Sequence, residues 1–556
     1  MPSFPPQPIK IAVTRPYFLP SITTLLKTSK LQTHLHQLHS HLIKKGLQQD
    51  NSLISHFISL CHSLGASLAY STSIFNQIVT PSTFLWNTLL KGYSQNCCFL
   101  DVFKFFVRMI REGGVPDKYT FPFVIKACSN ELALRGGAAI HGAVIRLGFD
   151  DDVFVCTSLI DLYGKRKEIE CARKVFDQMT NRSVVSWTAM VFGYVNVGDL
   201  AEAKKMFDLM PERNIVSWNA MIGGLVKIGD MRSSRKLFDE MPERNVISYT
   251  TMIDGYAKSG DMASARLLFE EAPHRDIVAW SALITGYAQN GQPNEAVKIF
   301  FDMYMKNVKP DEFIMVSLMS ACSQVGSLEL AKWVDFYLSR SEMDLNRGHI
   351  IASLIDMNAK CGNLNRAAEL FETMPNRDLI SYCSMIQGLS IHGHGTEAVC
   401  LFNKMISEGL IPDEVAFIVI LTACSHAGLV LEGWHYFESM QSVYYIVPSP
   451  DHYACMVDLL SRTGHLKAAY DLLNSMPVEP HAGAWGALLG SCKLHCDVEL
   501  GELVAKRLFE LEPQNAGSFV LLSNIYAAAD RWLDVSLVRK KMKERGVRKI
   551  PGCSWV

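Results

Sequence analysis

The chain has 556 residues, of which 49% are hydrophobic and 20% charged, and its net charge is −1. This composition excludes wholesale disorder, and the neutral balance excludes a protein that holds nucleic acid by its global field; a polyanion would need a local basic stripe. Apolar runs such as 416–424 fall far short of the ~18 residues of a membrane span, so no membrane partner is expected, and fifteen cysteines with no Cys-x-x-Cys pair fit a reducing compartment better than a disulfide framework.

The first 49 residues contain no Asp or Glu but carry Lys10, Arg15, Lys27, Lys30, Lys44 and Lys45 among scattered Ser and Thr. An acid-free, basic, hydroxyl-bearing start has the composition of an organelle transit peptide, expected over 1–15 and extending up to about residue 30. Arginine is sparse, so composition leaves mitochondrion and chloroplast both open; mitochondrion is the reading and chloroplast the alternative. From residue 16 onward the chain repeats. Related words begin at Trp187, Trp218, Tyr249 and Trp280, 31 residues apart each time. Extended both ways, they define degenerate units at 16–50 and 51–82, then twelve units over 83–481: 83–117, 118–152, 153–183, 184–214, 215–245, 246–276, 277–311, 312–347, 348–378, 379–413, 414–449 and 450–481. Two divergent units follow, at 482–515 and 516–549.

Each unit reads as two helices. Apolar residues at unit positions 4, 7, 8 and 11, as in Trp187, Met190, Val191 and Tyr194, have the spacing of an amphipathic helix. A Gly near position 15 (Gly198, Gly229, Gly260, Gly291) ends that helix, and Ala at position 20, Phe at 24 and Met at 27 mark the second (Ala203, Phe207 and Met210 in one unit). A single hairpin cannot bury both faces and stacked hairpins can, so the expected fold is all-α, an α-solenoid superhelix of helix-turn-helix repeats with one concave face. Position 5 is polar on an otherwise apolar helix: Asn87, Thr157, Thr188, Asn219, Thr250 and Ser281. The last position is polar too: Asp117, Ser183, Asn214, Asn245, Asp276 and Asp311. The second residue is apolar (Phe84, Phe154, Val185, Val216, Ile247, Val278), and position 13 is often basic (Lys165, Lys227, Lys258, Lys360, Arg462). Positions 2, 5, 9 and 13 share a helix face, so polar groups able to meet base edges lie beside cations able to track phosphates. On the residues alone, a protein-binding helical-repeat scaffold remains open.

The units resemble pentatricopeptide repeats, with lengths that alternate like the P, L and S variants of plants. The words YTFPFVIKACS at Tyr119 and FIMVSLMSACS at Phe313 resemble L units; LIDLYGKRKEIECARKVFDQM at Leu159 resembles an S unit. The segments AWGALLGSCKLH, LFELEPQNAGSFVLLSNIYAAADRW and VRKIPGCSWV are similar to the E1 and E2 extension of the PLS subclass, placing an E1-like unit at 482–515 and an E2-like unit with a tail at 516–556. The resemblance covers about 16–556. It implies sequence-specific binding of single-stranded organellar RNA, one base per unit, read by the fifth and last residues with the second packed on the base. It further implies a site-recognition factor for C-to-U editing that recruits a DYW-type cytidine deaminase, with accessory editing factors, in trans; the alternative is an RNA splicing, stability or translation factor. The family's pairing rules assign U to Asn87/Asp117, a purine to Thr157/Ser183, A to Thr188/Asn214, C (then U) to Asn219/Asn245, and G to Thr250/Asp276 and Ser281/Asp311. Pro122 and Val316 at position 5 leave their L-like units unreadable.

No enzyme is expected. The chain has neither the H-x-E and P-C-x-x-C zinc motif of cytidine deaminases, nor a phosphate-binding loop, nor a nucleophile elbow, so no cofactor, metal or small-molecule substrate is expected either. His34, His36, His39 and His41 do not share one helix face cleanly and have no carboxylate nearby to orient them. Cys128, Cys322 and Cys424, at position 11 of L-like units, read as packing residues.

Overall fold

The structure is a computed structural model that describes residues 34–547 apart from 97–98, 131–135, 342, 346 and 375. The expected transit peptide and the end of the C-terminal tail lie outside the described residues. The chain divides into two compact bodies after Gly255. In each, the described residues form a succession of antiparallel helix pairs with no strand, as an α-solenoid of hairpins requires. Pairs in the first body include Thr83–Gln95 with Phe99–Arg111, Val153–Lys165 with Ile169–Gln178, and Val184–Val197 with Leu200–Leu209. In the second they include Ile277–Gln289 with Pro293–Met305, Glu312–Val325 with Leu328–Arg340, and Pro450–Arg462 with Leu466–Asn474. No described helix is long and apolar enough to cross a membrane.

Local chemistry fixes both ends of each helix. The first helix of a unit starts on a side-chain cap: Ser183 Oγ accepts from Ser186 N–H at 3.2 Å, Asn214 Oδ1 from Ser217 N–H at 2.9 Å, and Asp311 Oδ1 from Ile314 N–H at 2.9 Å. It stops at glycine; Gly198 has φ 92°, the left-handed conformation that other residues reach only with strain. The Asp after that glycine caps the second helix, as Asp199 does from Glu202 N–H at 3.1 Å. The second helix ends on an arginine the repeat words contain but periodicity does not reveal. Arg213 donates from Nε to Phe207 O at 3.0 Å and from Nη2 to Asp208 O at 2.9 Å, while its guanidinium carbon lies 4.9 Å from the centre of the Phe207 ring. Arg182, Arg244, Arg275 and Arg377 repeat the arrangement, each meeting the orphan carbonyls of a helix C-terminus and stacking on the position-24 Phe.

Packing between hairpins follows the expected stripes. Ala203, Phe207 and Met210 are buried, as are their equivalents Ala296, Phe300 and Met303. The Phe of one unit meets the position-4 aromatic of the next edge-on: Phe176 with Trp187 at 4.8 Å, Phe207 with Trp218 at 4.9 Å, Phe269 with Trp280 at 4.6 Å. First helices also approach closely at position 10, where a Cβ on Gly286 would lie 2.6 Å from that of Ala257. Cys128, Cys322 and Cys424 are buried, and desolvation pushes the thiols of Cys322 and Cys424 up to about 12, so they act as small packing residues, not as ligands or nucleophiles. In the His-rich run, His39 Nδ1 lies 2.8 Å from the Tyr70 hydroxyl, a contact to the next hairpin.

Candidate functional site

Because the last residue of most units caps the next first helix through its side chain, as Asp152, Ser183, Asn214, Asp276 and Asp311 do, its polarity has a structural cause; Arg347 makes no such bond. The cap uses one atom of the side chain. In Asp311 it takes Oδ1 and leaves Oδ2; in Asn214 it takes Oδ1 and leaves the amide Nδ2. The cap thereby decides which atom of the side chain it does not itself use: an acceptor from Asp, a donor from Asn.

Position 5 sits beside the cap. Asn87 Nδ2 donates to Asp117 Oδ1 at 3.0 Å, and Asn219 Nδ2 donates to Asn245 Oδ1 at 3.2 Å. Both asparagines are braced from behind by a hydroxyl at the third position of the following unit: Thr120 Oγ1 to Asn87 Oδ1 and Ser248 Oγ to Asn219 Oδ1, each 2.7 Å. Thr120 and Ser248 are fully buried, as are Ser186, Ser217 and Ser381 at the same position. A Ser precedes the aromatic residue at Trp187, Trp218 and Tyr249, with Ala279 in that place before Trp280, but the pattern within one unit does not show what the hydroxyl meets. Threonines at position 5 behave differently. Thr157, Thr188 and Thr250 donate to the carbonyl four residues back, Val153, Val184 and Val246, at 2.6–2.8 Å, which leaves the hydroxyl oxygen as an acceptor. Ser281 is half-buried at the same position.

The second residue of each unit is the opposite of buried. In the first body Phe84, Tyr119, Phe154, Val185, Val216 and Ile247 are exposed; Phe154 is 63% exposed. In the second body Val278, Phe313, Ile380 and Val415 repeat the pattern. Large apolar side chains left in solvent at one register position, unit after unit, present flat apolar faces beside polar pairs.

The position-13 cations are not a free stripe. Lys165 pairs with Asp161 at 2.6 Å, Lys360 with Asp356 at 2.9 Å and Arg462 with Asp458 at 2.8 Å, each carboxylate being position 9 of the same helix. Ser323 and Ser425 of the preceding L-like units donate to Asp356 Oδ2 at 3.2 Å and Asp458 Oδ2 at 2.5 Å, fixing those acids. Lys227 and Lys258 are exposed. If these cations face a polyanion, Asp161→Asn, Asp356→Asn and Asp458→Asn free three charges without changing shape. The slope of log affinity for single-stranded RNA against log salt should then steepen by about 0.7 for each. An unchanged slope places the three cations away from the ligand.

The E motif family matches residues 495–556. The pentatricopeptide repeat families match 81–130, 154–184, 185–215, 213–247, 243–273, 275–324, 352–379, 377–426 and 451–479. The Arabidopsis thaliana protein At5g37570, named as a pentatricopeptide repeat-containing protein, is 60% identical over 96% of this chain and 98% of its own length. The chain belongs to the pentatricopeptide repeat family. Other family members from the same plant include At3g29230, 48% identical over 94% of this chain and 87% of that protein. A third, At1g06140, named mitochondrial, is 36% identical over 96% of this chain and 98% of that protein. Among solved structures, maize PPR10 in complex with an 18-nt psaJ RNA element aligns over 92% of this chain and 87% of that one, with a TM-score of 0.50 and 17% identity, a likeness of fold. The matching families are repeat and E-motif modules; none is a catalytic domain.

Proposed function

We propose that this pentatricopeptide repeat chain binds single-stranded RNA in a plant organelle as the site-recognition factor for a C-to-U editing event, and that its E-motif end recruits a DYW-type cytidine deaminase and accessory editing factors in trans. The observation that carries the RNA reading is the capped last residue beside an exposed apolar second residue. The Watson–Crick edges of U and G offer a ring N–H donor, and those of A and C a ring nitrogen acceptor. A capped Asp turns its second oxygen outward and meets U or G; a capped Asn turns out its amide N–H and meets A or C. That division matches the assignments for Asp117 (U), Asp311 (G), Asn214 (A) and Asn245 (C). The second residues, Phe84 through Val278, pack on the base face. Maize PPR10 is described in complex with RNA, and relatives named mitochondrial and chloroplastic support an organelle, with mitochondrion the preferred one.

The expected site, read 5′ to 3′ along units 83–117 to 277–311, is U, any base, purine, A, C or U, G, G. The second G should fall about nine nucleotides before the edited cytidine if the last S unit stands about four before it. Sequencing of mitochondrial and chloroplast transcripts in plants lacking the protein should show one or a few cytidines no longer converted, each preceded by this string. Full conversion everywhere, with a spliced or stabilised transcript lost instead, would replace editing by the alternative RNA role.

A further inference from the structure

The unit at 312–347 has Val316 at position 5 and so no hydrogen-bonding group for a base edge. Beside it lies a cavity of about 1040 Å³ that shares two residues with the readout edge: Asp311, the last residue of the preceding unit, and Phe313, the exposed second residue. The cavity walls are aromatic. Trp333 and Tyr337, one turn apart on Leu328–Arg340, are stacked with ring centres 5.5 Å apart and 14° between planes. Tyr304, from the preceding hairpin, stands edge-on to both, at 5.7 and 5.9 Å. Phe336 is 57% exposed, and the Arg340 guanidinium carbon lies 4.4 Å from its ring centre. Arg347 is held by Glu312 at 2.6 Å, whereas among the described residues neither Lys309 nor Arg340 is in an ion pair.

We infer that this cavity is a base-stacking pocket: the nucleotide facing unit 312–347 leaves the readout track and stacks against the exposed aromatic wall, with Lys309 and Arg340 near its phosphate. Aromatic faces accept any base and cations follow the backbone, the combination by which single strands are held without sequence preference. The volume accommodates a nucleotide, and the position 5 that would have held the base on the track is apolar. The unit thus contributes affinity where it contributes no specificity. The inference rests on the RNA reading proposed above, and the test separates the two.

The RNA carries 2-aminopurine immediately 3′ to the second G, or an abasic residue there. Binding of wild-type protein should quench the probe, and the abasic RNA should bind about fivefold or more weakly. Phe336→Ala and Arg340→Ala, both at exposed positions, should relieve the quenching and weaken the intact RNA, with no further loss on the abasic RNA. A second double variant, Tyr304→Ala with Phe313→Ala, should behave alike. If the protein fails to prefer the A-C-G-G string over a scrambled one, the RNA reading itself fails. If that preference holds but the probe stays bright, or the losses of variant and abasic site simply add, the pocket inference is overturned. It is overturned equally if the variants bind RNA normally and lose only editing, which would mark a protein occupant.

Discussion

Replacing Asn214 by Asp should turn the unit 184–214 from an adenine reader into a guanine reader. Wild type should bind an RNA with A at that place about tenfold or more better than one with G, and the variant should reverse the order, since each matched base edge is worth about 1–3 kcal/mol. The cap explains why so small a change acts so strongly. Asn214 Oδ1 accepts from Ser217 N–H at 2.9 Å, which leaves the amide Nδ2 as the group a base edge would meet. Asp caps a helix as well as Asn, so the helix start survives and a carboxylate oxygen takes the place of the amide donor. That oxygen accepts from the N1–H of guanine and repels the N1 lone pair of adenine. Thr188 at position 5 is untouched and continues to favour a purine. Gel-shift titration of both proteins against both RNAs measures the reversal. Equal affinity of each protein for A and G would remove base reading from these positions.

The second large effect lies at the other end of the chain. Substituting Trp532, Leu533 and Leu537 together by serine should abolish editing at the target cytidine while leaving RNA affinity within about twofold of wild type. These side chains are 63, 82 and 61% exposed on Trp532–Glu544, the last described helix, within the E motif. The basic residues Lys540, Lys541 and Lys543 follow on the same helix. An exposed apolar patch next to cations suits a partner surface in a unit that carries none of the base-reading pairs. A truncation after His481 is the blunter experiment, because one buried cluster runs from Val457 through Leu488 to Val535. Removing 482–556 would strip apolar cover from Leu460 and Leu473, and lost function could then reflect the damaged last repeat. The triple surface variant avoids this. Editing measured in plants complemented with it, alongside RNA titration of the purified protein, decides the role; normal editing would remove recruitment from this helix.

The base-reading candidates were legible in the sequence because they break a pattern. Asn87, Thr188 and Asn219 are polar where the helix period calls for a core residue, and Phe84 and Val216 are apolar where it calls for a solvated one. The braces behind them were not legible. Ser248 acts on Asn219 from 29 residues away, in the next hairpin, and Ser323 acts on Asp356 across 33. Reading one helix at a time finds the face a residue occupies but not the neighbour that meets it there. The cations at position 13 carry a related lesson: Asp161 and Asp458, four residues back on the same face, pair with Lys165 and Arg462, and a charge counted alone does not show its partner.

The residues alone carry the all-α class, the capping and turn signals of the repeat, and the stripe that is core. Those properties follow from local rules: a 3.6-residue period, a capping side chain, a glycine able to take positive φ, and apolar residues that must leave water. The folded chain adds which atom of Asn214 and Asp311 makes the cap, which hydroxyls lock the asparagines, which cations are neutralised, and that Tyr304 of one hairpin meets Trp333 and Tyr337 of the next around a cavity. The hydroxyl braces and the aromatic cavity depend on the distance and angle between groups about 30 residues apart, set by how closely the Gly, Ala and Phe contacts let successive hairpins stack, whereas the caps and the ion pairs lie within one turn and depend on which rotamer each side chain takes.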